Sequence, residues 1–194
     1  MNLPNKLTLL RVILVPVFLV FMYLSFPFHF FAALVIFAAA SITDALDGHI
    51  ARKNHLVTNF GKFLDPLADK VLVMAALAVF VEIDSVNMSA VPFIIITARE
   101  FMVSGLRLLA ANSGVVVAAG IWGKLKTAFT MVTIIGILLW LCIKDDFGKY
   151  LADSVCGCID NIAVPVLIWI STALTVISGI IYLKGYWNLI DSDK

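Results

Sequence analysis

The chain is 194 residues long, 62% hydrophobic and only 14% charged, with a mean hydropathy of +1.03. That composition excludes a water-soluble globular domain, whose charged share is much higher, and points to an integral membrane protein. At about 20 residues per helical crossing of a hydrocarbon layer about 30 Å thick, the length accommodates about six crossings in a single all-α domain covering 1–194.

The first segment, Leu3-Pro4-Asn5-Lys6-Leu7-Thr8-Leu9-Leu10-Arg11, puts Asn5, Thr8 and Arg11 on one helical face. Arg11 interrupts the apolar stretch and no persuasive cleavage site follows, so the segment is read as retained rather than as a signal peptide. Apolar runs then predict spans at 12–26, 29–50, 66–82, 91–110, 127–143 and 162–183. The gaps are short, with no Gly/Ser linker, low-complexity tract or internal repeat. Alternating the spans places both termini and the segments 52–62 and 107–126 on one side, with twelve Lys and Arg residues against Lys144 and Lys149 opposite. By the positive-inside bias that side is cytoplasmic. Cys142, Cys156 and Cys158 suit no zinc site, and Cys156 and Cys158 are too close to pair with each other. Free thiols are expected, with a bridge from Cys142 as the alternative in an oxidising outer space.

Between the second and third spans runs the pattern Asp44-x2-Asp47-Gly48-x2-Ala51-Arg52-x8-Gly61-x3-Asp65-x3-Asp69. Asp44 and Asp47 are three positions apart and Asp65 and Asp69 four, so each pair lies on one face of its helix. The short basic stretch 52–60 turns the chain back, and an antiparallel hairpin would bring the pairs together. Four converging carboxylates repel one another and would take up protons unless cations intervene. An all-oxygen donor set favours hard ions such as Mg2+, Mn2+ or Ca2+ over zinc, and His49 and His55 are not assigned as ligands. Gly48, Ala51 and Gly61 clear space through which a phosphate or nucleotide can approach the backbone, and Arg52 offers a fixed cation to phosphate oxygens. Close helix packing through small residues is the alternative role for these positions. Pro66, which lacks an N–H, fits the first turn of a helix starting near Lys62.

This pattern resembles the signature of the CDP-alcohol phosphotransferase family, with every fixed position matched. The resemblance covers almost the whole chain and implies six transmembrane helices with the active site at their cytoplasmic end. It further implies two divalent cations, Mg2+ or Mn2+, held by Asp44, Asp47, Asp65 and Asp69, with Asp69 also the base that deprotonates the acceptor alcohol. A CDP-linked lipid would dock its pyrophosphate on the metals and its cytidine near Gly48, Ala51 and Arg52, with Gly61 in the same CDP-lipid site. The opening segment is similar to the family's short N-terminal interfacial helix, which makes Asn5, Thr8 and Arg11 candidates for nucleotide or phosphate contact. An amphipathic membrane anchor is the other reading of that face. The family also suggests a homodimer.

A second polar set, Arg99, Glu100, Ser104, Arg107, Gly123, Lys124, Lys126 and Thr127, falls on the same predicted side. Arg99 and Arg107 are eight residues apart, about two helical turns, and so share a face. Arg99, Arg107, Lys124 and Lys126 are therefore candidates for binding an acceptor's phosphate, or else snorkel to lipid headgroups. The stretches 97–107 and 123–127 resemble the family branch whose acceptor is glycerol 3-phosphate. The activity implied is transfer of a phosphatidyl group from CDP-diacylglycerol to glycerol 3-phosphate, giving phosphatidylglycerophosphate and CMP. Other acceptors within the family are an inositol phosphate, a second phospholipid or serine. A divalent-cation transporter is the remote alternative, since intramembrane aspartates also mark ion paths, but these cluster at one membrane end rather than the midplane. Membrane lipids are expected partners, and nucleic acid is not.

Overall fold

The computed structural model describes residues 3–54, 59–112, 120–148 and 153–185, with only the helical backbone described at 3–7, 44–54, 59–67, 69, 111, 112 and 153. The described residues are helical, with no strand among them. Helices α1 (Leu3–Tyr23), α2 (His29–Asn54) and α3 (Asn59–Glu82) are followed by a 3-10 turn at Asp84–Val86 and then α4 (Ala90–Asn112). Asn87 closes that turn in the left-handed region, at φ 49°, which a short polar side chain tolerates better than most. Helix α5 (Ile121–Leu141) runs on through a π-helical turn at Cys142–Asp146. A last helical stretch comprises α6 (Asp153–Cys158), a second π-helical turn at Ile159–Ala163, and α7 (Val164–Gly185).

The pattern of burial is the reverse of a soluble bundle. Leu108, Leu109, Val132 and Ile94 are 59–66% exposed, whereas Arg11, Arg99 and Lys126 are 1%, 8% and 3% exposed. An apolar exterior around buried cations belongs in lipid, where exposed hydrocarbon costs nothing and polar groups turn inward. Two stretches, Ile121–Asp146 and Ser154–Gly185, are long and apolar enough to cross a membrane, and Thr8–Tyr23 and His29–Thr43 are shorter apolar helices. The protein is thus membrane-associated.

Helix α1 packs along both α2 and α3, α4 packs on α3 and α7, and α5 on α2 and α7. The apolar core includes Phe18 of α1 against Phe37 of α2, with ring centroids 5.8 Å apart, and Phe80, Ile134 and Leu138. Helices α5 and α7 also bury hydroxyls: Thr130, Ser171, Thr175 and Ser178. The Thr130 hydroxyl donates to the Lys126 carbonyl at 3.0 Å, and that of Thr175 to the Ser171 carbonyl at 2.8 Å. Thr130 and Ser171 also share a hydrogen bond across the helices at 2.9 Å. Small hydroxyl residues let two helices approach closely while keeping every polar group satisfied.

One end of the bundle is closed by ties between helix ends. The Tyr23 hydroxyl donates to Glu82 at 2.6 Å, which sets α1 and α3 parallel. The backbone N–H of Phe31 donates to Asp146 at 2.7 Å, which sets α2 antiparallel to α5. Asp160 accepts from Trp140 at 2.7 Å and from Lys144 at 2.6 Å. Consequently the start of α1, the end of α2, and the starts of α3 and α5 all lie at the opposite end.

Several boundaries differ from the sequence expectation. The anticipated short N-terminal helix and first span are one helix, continuous through Pro16. Helix α3 begins at Asn59, so Pro66 sits in its third turn, where the Lys62 carbonyl loses its helical donor. Helix α5 starts at Ile121 rather than near 127, which carries Lys124 and Lys126 inside its first two turns. The three cysteines are free, with Cys142 buried and Cys158 exposed.

Candidate active site

The aspartates fall at the end of the bundle opposite those ties. Asp44 and Asp47 lie on unbroken helix near the end of α2, and Asp65 and Asp69 near the start of α3, so helical geometry keeps each pair on one face. Their side chains, with those of Asn5, Arg52 and Gly48, Ala51 and Gly61, lie outside the described residues, as His55 does altogether. Within the described side chains no group of three or more potential metal ligands occurs. The chemistry of the aspartate set, four carboxylates with no thiol or imidazole, suits a hard divalent cation. Because α1 is parallel to α3, Thr8 and Arg11 stand at this same end, both 1% exposed.

The second half of the site is built by α4, α5 and α7. Glu100 is its centre: one carboxylate oxygen, Oε1, accepts from Arg99 Nη1 at 2.8 Å and from Lys126 Nζ at 2.5 Å. Arg99 turns its other terminal nitrogen to the Ser178 hydroxyl of α7 at 2.7 Å. The half-buried carboxylate thereby ties α4 to α5, and Arg99 carries the link on to α7. Removing one partner of a buried pair costs about 3–5 kcal/mol, and the lower end applies here because Glu100 borders a cavity and keeps part of its solvent.

Tyr182, 5% exposed, is the second fixed point. Its hydroxyl accepts from Arg107 Nη2 at 2.9 Å and from the Gly120 N–H at 3.3 Å. The guanidinium carbons of Arg99 and Arg107 lie 5.6 and 5.5 Å from its ring centroid, within cation–π range. Two glycines make room for this packing. A Cβ at Gly123 would stand 3.3 Å from the Tyr182 ring, and one at Gly179 would stand 3.2 Å from Cγ of Arg99.

These residues border a cavity of about 470 Å³ whose walls include Lys70, Arg99, Glu100, Arg107 and Lys124. Among the described residues, four cations stand against one carboxylate in these walls, which suits an anion. Lys70 follows Asp69 directly on α3, so the basic cavity adjoins the helix end that carries the aspartates. Of the expected acceptor residues, Arg99, Arg107 and Lys124 line this cavity, whereas Lys126 is turned inward to Glu100. Ser178, Tyr182 and Lys70 went unforeseen. The available signal was the spacing of Ser171, Thr175, Ser178 and Tyr182, which puts small polar groups and a phenol on one face of an otherwise apolar helix.

The family model for CDP-alcohol phosphatidyltransferase matches residues 1–180. A Bacillus subtilis protein named CDP-diacylglycerol–glycerol-3-phosphate 3-phosphatidyltransferase is 39% identical over 205 residues, covering 100% of this chain and 99% of the relative. Proteins of the same name from Haemophilus influenzae and Rickettsia typhi are 40% and 39% identical, covering 94% and 95% of the chain and 92% and 96% of their own lengths.

Proposed function

Since the chain belongs to the CDP-alcohol phosphatidyltransferase family, we propose that it transfers a phosphatidyl group from CDP-diacylglycerol to glycerol 3-phosphate, releasing CMP. The observation that carries the choice of acceptor is the basic cavity of Arg99, Arg107, Lys124 and Lys70 beside the aspartate helix end. A phosphate monoester dianion needs several cations held in fixed geometry, and guanidinium forks clamp it better than mobile ammonium groups do. An uncharged acceptor gives such a cavity nothing to bind, and a zwitterion such as serine offers only one carboxylate to its four cations.

In the reaction an acceptor hydroxyl forms a bond to the phosphatidyl phosphorus, the phosphorus–oxygen bond to CMP breaks, and the hydroxyl proton passes to Asp69. Asp44, Asp47, Asp65 and Asp69 would hold two divalent cations, Mg2+ or Mn2+, which when bound neutralise phosphate charge and stabilise the departing CMP. Arg99 and Arg107 anchor the acceptor's phosphate, which leaves its hydroxyl end to reach the aspartates. Gly48, Ala51, Gly61 and Arg52 accommodate the CDP headgroup, with Asn5, Thr8 and Arg11 of α1 alongside. The chain is read as one domain spanning the membrane six times, with this end of the bundle in the cytoplasm and two copies forming a homodimer.

The test is CMP release by purified protein with CDP-diacylglycerol and Mg2+, comparing glycerol 3-phosphate, serine and an inositol phosphate as acceptors. Turnover with glycerol 3-phosphate alone is expected. Turnover with either of the others and none with glycerol 3-phosphate would move the chain to another branch of the family.

A further inference from the structure

Below the basic cavity, towards the middle of the bundle, lies a second one of about 110 Å³. The two share Lys70, Glu100 and Thr127 as walls, so they form one cleft with two levels. Each of three helices changes character between the levels within about one turn. Helix α3 passes from Lys70 to Val73 and Met74, α4 from Glu100 back to Ile96, and α5 from Thr127 to Met131. The upper level is cationic; the lower one has Lys126 and Thr130 in its wall beside the apolar side chains of Val73, Met74, Ile96 and Met131, which form its floor.

Glycerol 3-phosphate is polar throughout and would leave that floor uncovered. We infer that the cleft is a binding site for phosphate monoesters bearing a short apolar tail, the phosphate among Arg99, Arg107 and Lys124 and the tail against Val73, Met74, Ile96 and Met131. Two of the four floor residues are methionines, whose unbranched chains adapt to different tails. An apolar cavity of about 150 Å³ holds a benzene ring, so this floor takes about four or five carbons. A simple alkyl phosphate has no hydroxyl to attack the donor, so it occupies the acceptor's place without reacting. The inference rests on the basic cavity being the site of the acceptor phosphate.

The experiment is displacement of radiolabelled inorganic phosphate from the purified full-length protein in detergent by methyl, propyl, butyl and octyl phosphate. Affinity is expected to rise about fourfold per methylene from methyl to butyl, the gain for burying one methylene, and then to level off at octyl. Val73→Phe and, separately, Met131→Phe fill the floor. Each should flatten the series while binding inorganic phosphate as the unaltered protein does, which also reports that the variant is folded. A flat series in the unaltered protein would overturn the inference. So would a series that keeps climbing to octyl with the same slope in both variants, since that is partition into detergent or lipid. If labelled phosphate does not bind at all, the assignment of the basic cavity fails first and this inference with it.

Discussion

Arg107 of α4 meets Tyr182 of α7 twice: its Nη2 donates to the phenol oxygen at 2.9 Å, and its guanidinium carbon lies 5.5 Å from the ring centroid. The residues are 75 positions apart in the chain. A guanidinium held by both a hydrogen bond and a ring face has lost most of its rotamer freedom before any ligand arrives. That preorganisation is what lets a cation read a phosphate in place of snorkelling to whichever headgroup is nearest.

Tyr182→Phe removes the phenol oxygen and keeps the ring. A hydrogen bond to a charged donor is worth about 1.5 kcal/mol or more, so the KM for glycerol 3-phosphate should rise about tenfold with kcat little changed. Tyr182→Leu, which also removes the ring, should raise it further. Steady-state kinetics with acceptor varied at saturating CDP-diacylglycerol measures both.

Glu100→Gln removes the negative charge that Lys126, 3% exposed, meets at 2.5 Å. The expected loss of stability is about 3 kcal/mol. Adding Lys126→Met removes the other charge of the pair and should recover part of that loss. Thermal unfolding of the detergent-solubilised single and double variants gives the coupling; purely additive effects would mean that the two side chains do not form a pair.

Gly179→Ala puts a methyl group 3.2 Å from Cγ of Arg99 and 3.5 Å from Cε of Met102. Relief requires Arg99 to move, and overpacking of this kind costs about 1 kcal/mol, or about fivefold in the acceptor KM. Gly136→Ala on α5, which meets nothing within 4 Å, should leave KM unaltered and stabilise the helix slightly.

Asp69→Asn should lower turnover about a hundredfold or more, as expected for loss of a general base, while CDP-diacylglycerol still binds. Chelation of divalent cations should likewise stop turnover, and added Mg2+ or Mn2+ should restore it in the unaltered protein and not in the variant. Filter binding of labelled CDP-diacylglycerol alongside a CMP-release assay distinguishes lost chemistry from lost binding.

Much of the site could be read from local spacing, and what escaped was long-range. The aspartate pairs are separated by three and four residues on α2 and α3, so their faces follow from helical periodicity alone. Arg99 and Arg107 follow by the same rule. Lys124 and Lys126 looked equivalent, yet two positions on a helix are about 200° apart, and one lines the basic cavity while the other is buried against Glu100. Ser178 and Tyr182 sit in an apolar helix far along the chain from the cations they hold, and nothing local announces a contact of that range. Helix starts were misplaced at α1 because Arg11 interrupts the apolar run, and at α3 because Pro66 read as a first-turn residue, whereas both helices run through these positions.

The central claim is that the basic cavity reads the phosphate of the acceptor while the donor lipid is bound elsewhere. Replacing Arg107 by Ala and measuring KM for each substrate tests it most directly. The prediction is a KM for glycerol 3-phosphate raised at least about tenfold, with the KM for CDP-diacylglycerol and kcat close to those of the unaltered enzyme. An unchanged KM for glycerol 3-phosphate, or a rise confined to CDP-diacylglycerol, would contradict it.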